Sequence, residues 1–241
     1  MPPKKVAAVF PSVEVADSDG LLAVGGQLSV ELLVAAYSRG IFPWPISDSI
    51  PILWFAPPER CLLFLDTLRI PKSLVKERRR SQLQFAVDKD FSSVIRGCAD
   101  LRNRRGPRQT WITPAMIGAY EELHRAGYCH SIGCYQGNSL VGGIYGVGIG
   151  GMFAAESMFY VLPNASKLCL LLLCELLRER DQAWIDLQQM TPVARMFGAV
   201  EVPRSRYQQL LKEALAQPDP WRNACHTPAP SGILNSELKS K

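Results

Sequence analysis

No run of this 241-residue sequence reaches the roughly 20 apolar residues that a bilayer-crossing helix needs. The opening MPPKKVAAVFPSVEV has lysines but no apolar stretch long enough for a signal peptide. Cysteines number seven, at 61, 98, 129, 134, 169, 174 and 225, and no two have CxxC spacing. An odd count without that spacing excludes a fully paired disulfide scaffold and argues against a four-cysteine zinc centre. Histidine is scarcer still: His124, His130 and His226 show no ligand spacing with the cysteines, so no metal is expected. There is no internal repeat. These absences imply a soluble chain in a reducing cytosol. What is present, 47% apolar residues and a mean hydropathy of +0.01, suffices to bury a sizeable core and excludes intrinsic disorder.

The net charge of +5 hides a local concentration. Residues 69–80, RIPKSLVKERRR, set Arg69, Lys72, Lys76, Arg78, Arg79 and Arg80 against one acid, Glu77. A second cluster places Arg102, Arg104, Arg105 and Arg108 in LRNRRGPR. The rest of the chain is acidic, so a polyanion is the natural partner, although a solvated helix face and a basic loop would also account for the runs.

Residues 1–57 read as a small opening unit. Ser29 caps a helix through Ser38 that Gly40 stops, GIFPWP is stiffened by Pro43 and Pro45, and Pro57-Pro58 marks a boundary. From 58 to 216 strands and helices alternate in an α+β pattern. The spacing predicts strands near 61–66, 83–87, 129–135, 139–147, 152–160 and 183–189. It predicts helices over 72–80, 165–178 and 204–215, with others opening at Thr113-Pro114 and Thr191-Pro192. Residues 217–241 carry several prolines and no apolar periodicity, and are expected to be loosely ordered. GVGIGG (146–151) formally matches a dinucleotide fingerprint, but strand-like MFAAESMF follows it, so it reads as a hairpin. Asn164 in NAS reads as a helix cap rather than a glycosylation site.

Three polar residues break the apolar strands. Glu156 stands among Phe153, Ala154, Ala155, Met158 and Phe159, and leaving it unpaired there would cost several kcal/mol, roughly. Asp186 and Gln188, two apart in WIDLQ, project to one face of a strand. Either these groups line a crevice or Glu156 is neutralised by an internal arginine. Trp44 in FPWP and Trp111 beside the second arginine cluster are packing anchors or, together with phosphate-binding charge, a grip for a single-stranded nucleotide end.

These segments resemble the leucyl/phenylalanyl-tRNA protein transferases. The resemblance runs through DGLLAVGG, RGIFPW, PILWF, TWIT, HSI, LVGGIYGV, ESMF, NASK, ID-x-Q and GA-x-E-x-PR, from Phe10 to about Leu215. It implies a small N-terminal domain followed by an acetyltransferase-like (GNAT) domain. It also implies transfer of leucine, phenylalanine and less readily methionine from tRNA to the N-terminus of proteins beginning with Arg or Lys, which marks them for degradation. By that resemblance Lys72, Lys76, Arg78, Arg79 and Arg80 contact the tRNA acceptor stem, and Trp44 and Trp111 hold its terminal adenosine. Ile144, Phe153, Met158, Leu173 and Ile185 form the amino-acid pocket, and Glu156, Asp186 and Gln188 are the site acids and amide.

Aminolysis of an already activated ester needs no metal, ATP or coenzyme A, only a positioned neutral amine and a place for the developing oxyanion. In this reading Gln188 accepts a hydrogen bond from the attacking amine, Asp186 orients the Gln188 amide, and Glu156 attracts the basic acceptor. A monomer is expected. The competing readings are a coenzyme A dependent acetyltransferase and a non-catalytic tRNA-binding module.

Overall fold

The computed structural model describes residues 10–103, 110–219 and Trp221. Near the N-terminus, β1 (Leu21–Val24), β2 (Phe42–Pro43) and β3 (Leu53–Phe55) form a small antiparallel sheet in the order β1-β3-β2. Between β1 and β2 lies α1 (Val30–Tyr37), capped as expected: the Ser29 hydroxyl accepts from the Leu32 amide at 3.2 Å. Gly40 ends the turn after it at φ +74, where a Cβ would stand 2.5 Å from the Tyr207 ring, so both its conformation and its contact call for glycine.

The larger sheet has seven strands in the order β10-β4-β9-β8-β7-β6-β5. These are β4 (Glu59–Phe64), β5 (Gln84–Val87), β6 (Cys129–Gln136), β7 (Ser139–Ile149), β8 (Met152–Tyr160), β9 (Trp184–Gln188) and β10 (Val200–Pro203). Every neighbouring pair is antiparallel except β8 and β9, which α5 (Ala165–Arg178) connects as a crossover. The expected α+β class and the GVGIGG hairpin are both present: β7 runs directly into β8 through Gly150, at φ +54.

Helices cover both faces of this sheet. One layer holds α1 with α3 (Phe91–Ala99), α4 (Pro114–Arg125) and α7 (Arg204–Leu215), packed through Leu33, Val94, Tyr120 and Leu211. The opposite layer holds α2 (Lys72–Arg80), α5 and α6 (Pro192–Phe197), packed through Leu74, Leu170 and Phe197. The leucines of α5 are buried around almost the whole helix, as a segment apolar on all sides must be. Each such side chain contributes about 1.5–3 kcal/mol relative to exposure.

Three expectations change. α3 has no counterpart among the predicted elements; Asp90 caps it by accepting from the Ser93 amide at 3.0 Å. Asn164 precedes α5, but its side chain does not cap the helix; the residue sits at φ +67 and accepts from the Lys167 ammonium at 3.2 Å. Asparagine is used there for its tolerance of the left-handed region. The start of the C-terminal segment is anchored rather than loose, because Trp221 is buried and stacks on His130 at 4.6 Å. Of the second arginine cluster, Arg102 pairs with Asp100 at 2.7 Å, and Arg104, Arg105 and Arg108 lie outside the described residues, as do 220 and 222–241.

Candidate active site

A β-bulge creates the site. β7 and β8 lose register between Tyr145 and Gly146, which face Ser157 and Ala155, leaving Glu156 as the extra residue. On β8, Phe153 and Met158 belong to one core layer, and Ala154 and Phe159 to the other. That spacing of five is incompatible with a regular strand, and the bulge reconciles it. Glu156 is thereby aimed into the layer that contains Tyr37 and Tyr120. Tyr120 donates to Glu156 Oε2 over a long 3.5 Å, and the Tyr37 and Tyr120 hydroxyls bond each other at 2.5 Å.

On the neighbouring strand, Gln188 donates its side-chain amide to Glu156 Oε1 at 2.7 Å. Gln188 has φ +61, and its backbone N–H donates to Asp186 Oδ1 at 2.8 Å. Asp186 therefore holds the Gln188 main chain, while Glu156 orients the amide; this corrects the expectation that Asp186 orients the amide itself. With Nε2 committed to Glu156, the Gln188 carbonyl oxygen is left for another donor. The internal arginine anticipated for Glu156 exists, but it neutralises Asp186: Arg60 pairs with that carboxylate at 2.7 Å, both side chains being almost wholly buried.

Burial pushes the Glu156 carboxyl up to about 8, and the charge of Asp186 adds to the rise. Hydrogen bonds from Tyr37 and Tyr120 and the attraction of Arg60 oppose it. Burial also raises Tyr37 and Tyr120 well above the usual phenol range, so both remain hydrogen-bond donors at neutral pH.

Beside Glu156 opens a cavity of about 220 Å³, lined by Ile144, Ala155, Ser157, Met158, Leu170, Leu187, Thr191, Val193 and Ala194 together with Glu156 itself. Of the five residues expected to form a pocket, Ile144 and Met158 line it. Phe153, Leu173 and Ile185 are buried in the same core layer but outside this lining. Leu170 and Ala155 carried no signal in the sequence, being a leucine in a leucine run and an alanine in an apolar strand. Arg60 had one, a charge opening an apolar strand.

Trp44 and Trp111 are both half-buried, with ring centroids 6.2 Å apart at 49°. Trp44 also packs edge-on against Phe55 at 6.2 Å. Of the basic residues of α2, Lys72, Lys76, Arg79 and Arg80 are exposed. Arg78 differs from these four: it is paired with Glu175 of α5, both side chains largely covered.

Among the described residues, Asp88, His124 and His130 bring donor atoms within 4.8 Å of one another, a grouping the sequence spacing does not reveal. Internal bonds engage these rings: His130 Nδ1 to Asp88 at 2.7 Å, and His124 Nδ1 to the Cys129 carbonyl at 2.6 Å. No described helix is long and apolar enough to cross a membrane.

The model of the leucyl/phenylalanyl-tRNA protein transferase family matches residues 62–212, and that of its N-terminal domain matches 26–58. The chain belongs to the leucyl/phenylalanyl-tRNA protein transferase family. A transferase of this name from Syntrophotalea carbinolica is 47% identical over 210 residues, covering 87% of this chain and 90% of the relative. One from Nitratidesulfovibrio vulgaris is 43% identical over 88% of this chain and 90% of its own length. One from Anaeromyxobacter dehalogenans is 45% identical, over 87% and 89%. Among solved structures, L-PGS from Bacillus licheniformis is similar over 78% of this chain and 70% of that one, with 11% identity and a TM-score of 0.42. So distant a likeness adds nothing to the family assignment, which rests on the sequence relatives.

Proposed function

We propose that this chain transfers leucine, and with it phenylalanine and less readily methionine, from aminoacyl-tRNA to the N-terminal amine of proteins beginning with Arg or Lys, marking them for degradation. The observation that carries the reading is that Glu156, hydrogen-bonded to Gln188, lines an otherwise largely apolar cavity. A cavity of that size and lining takes an unbranched-β apolar side chain, and the ester carbonyl then lies at the polar wall. The incoming amine nitrogen attacks that carbonyl carbon while one of its hydrogens is held by the Gln188 carbonyl oxygen. As the C–N bond forms, the nitrogen's excess proton passes to ionised Glu156. Its position near pKa 8 matches an α-amino group, which titrates at about 7.7–8.0. The C–O bond to the ribose then breaks, and the ribose oxygen leaves with the proton that Glu156 has taken up.

Gln188 is too weak a base to remove a proton, so its contribution is placement. Glu156, with its ionised form, also favours a cationic acceptor terminus. The exposed face of α2, with Lys72, Lys76, Arg79 and Arg80, suits a phosphate backbone. Trp44 and Trp111 supply an aromatic surface for the terminal base. Residues 1–57 would thus carry one tryptophan of the nucleotide site and residues 58–216 the reaction centre. In this reading the chain acts as a monomer in the cytoplasm, where charged tRNA is available.

The test is transfer of labelled leucine from tRNA to a peptide starting with Arg and not to one starting with Ala. Failure of transfer under saturating tRNA overturns the reading. The same preparation titrated with acetyl coenzyme A should show no binding. Tight binding would favour an acetyltransferase instead, although the β8–α5 junction VLPNASK lacks a glycine-rich pyrophosphate loop.

A further inference from the structure

The Arg60 guanidinium touches both the segment that leads to Trp44 and the strand that carries Gln188. Arg60, at the start of β4, is only 1% exposed. Its Nη1 donates to the Gly40 carbonyl at 3.1 Å, on the segment that leads to Phe42 and Trp44. Its Nε donates to both Asp186 oxygens at 2.9 and 3.0 Å, and its Nη2 to Oδ2 at 2.7 Å. The guanidinium lies 4.6 Å from the Phe42 ring centroid and 4.7 Å from that of Tyr207. The Tyr207 hydroxyl also donates to Asp186 Oδ2, at 2.8 Å.

Asp186 in turn accepts from the backbone of Gln188, whose φ of +61 is one that a side-chain-bearing residue adopts only when its surroundings impose it. A carboxylate held by one donor would swivel and release that amide; a planar fork plus a phenol fixes both oxygens. Stability alone does not account for this arrangement, because well-packed apolar residues usually serve as well as a buried ion pair.

We propose that Arg60 and Tyr207 are positioning residues for the transfer reaction. They lock the Asp186 carboxylate, which holds the Gln188 backbone in its left-handed conformation and so aims the Gln188 amide at the attacking amine. This inference rests on the transferase reading above.

The experiment uses the full chain and compares Arg60→Lys, Tyr207→Phe, Asp186→Asn and the Arg60→Lys/Asp186→Asn double variant. Single-turnover transfer of labelled leucine to an Arg peptide and binding of leucyl-tRNA are measured separately. Arg60→Lys retains the charge but loses the fork, and should slow the chemical step by about 10- to 100-fold with the tRNA Kd within twofold of wild type. Tyr207→Phe retains the ring and should slow it by roughly 3- to 10-fold. Because both act through one carboxylate, the double variant should be no slower than Asp186→Asn. Wild-type rates in Arg60→Lys and Tyr207→Phe, losses that multiply in the double variant, or a loss confined to tRNA affinity would each overturn the inference. If Arg60→Lys does not fold, Tyr207→Phe decides the matter alone. Absence of transfer by the wild-type chain overturns the transferase reading and this inference with it. Transfer by the wild type at a rate the variants share overturns only the inference.

Discussion

Gln188 reaches across the β8–β9 pair to Glu156, 2.7 Å away, although 32 residues separate them in the chain. The bond engages one oxygen of the buried acid and leaves the Gln188 carbonyl oxygen for another donor.

The first consequence is a pH profile. With Glu156 required ionised and the acceptor amine neutral, both titrating near 8, the logarithm of the single-turnover rate should climb more steeply than first order below about pH 7.5 and level off above 8.5. Glu156→Gln should keep only the amine's first-order rise and lower the plateau. A variant profile as steep as the wild type's would remove Glu156 from the proton transfer.

Stability should respond to the same group in the opposite direction. The folded state retains a proton up to about pH 8 that an unfolded chain loses near its ordinary 4.5. The stabilising contribution is therefore complete below about 4.5 and declines as pH rises to about 8. Thermal melts of the wild type should fall across that window relative to Glu156→Gln. Parallel melting curves for the two would contradict it.

Gln188→Ala and Gln188→Gly separate the amide from its backbone. Both remove the carbonyl and should slow transfer by roughly 100-fold at unchanged tRNA affinity. Glycine accepts φ +61 freely, so it should be more stable than alanine by about 1 kcal/mol. Chemical denaturation beside single-turnover rates reads both quantities.

Within α2 the arginines divide by partner. Arg78→Ala strands Glu175 among the α5 leucines and should destabilise the fold by about 3–5 kcal/mol, most of which Glu175→Leu should restore. Arg79→Ala and Arg80→Ala should leave stability alone, weaken tRNA binding, and reduce the slope of log K against log salt by about one each. Equal effects of all three on tRNA binding would refute the division.

Under the proposed function, the cavity beside Glu156 sets the side-chain choice. Ala155→Gly removes a methyl group from its wall and should raise the ratio of phenylalanine to leucine transfer by roughly 10-fold. Competition between the two charged tRNAs measures the ratio; an unchanged value would detach Ala155 from selectivity.

Much of this architecture was legible beforehand, for identifiable reasons. Ser29 before an apolar period, Thr113-Pro114 and Thr191-Pro192 each announce a helix start through chemistry confined to one turn, and all three caps form. Glu156, Asp186 and Gln188 betrayed themselves as polar residues in apolar strands. α3 escaped because Phe91–Ala99 interleaves serines and a glycine with its apolar positions. Gly97 lies against the Phe159 ring, a contact made only in the folded chain. The identity of Arg60's partner escaped too, since 126 residues separate it from Asp186.

The amino-acid order by itself determined which segments coil or extend and which polar groups must be drawn inward, because caps, glycine stops and apolar periods act over a few residues. Only the tertiary structure decided who faces whom: that Arg60 takes Asp186, that Arg78 is spent on Glu175, and that a bulge turns Glu156 toward Gln188. Strand register and sheet order set those pairings, and both are settled by how the whole core closes rather than by any neighbourhood in the chain.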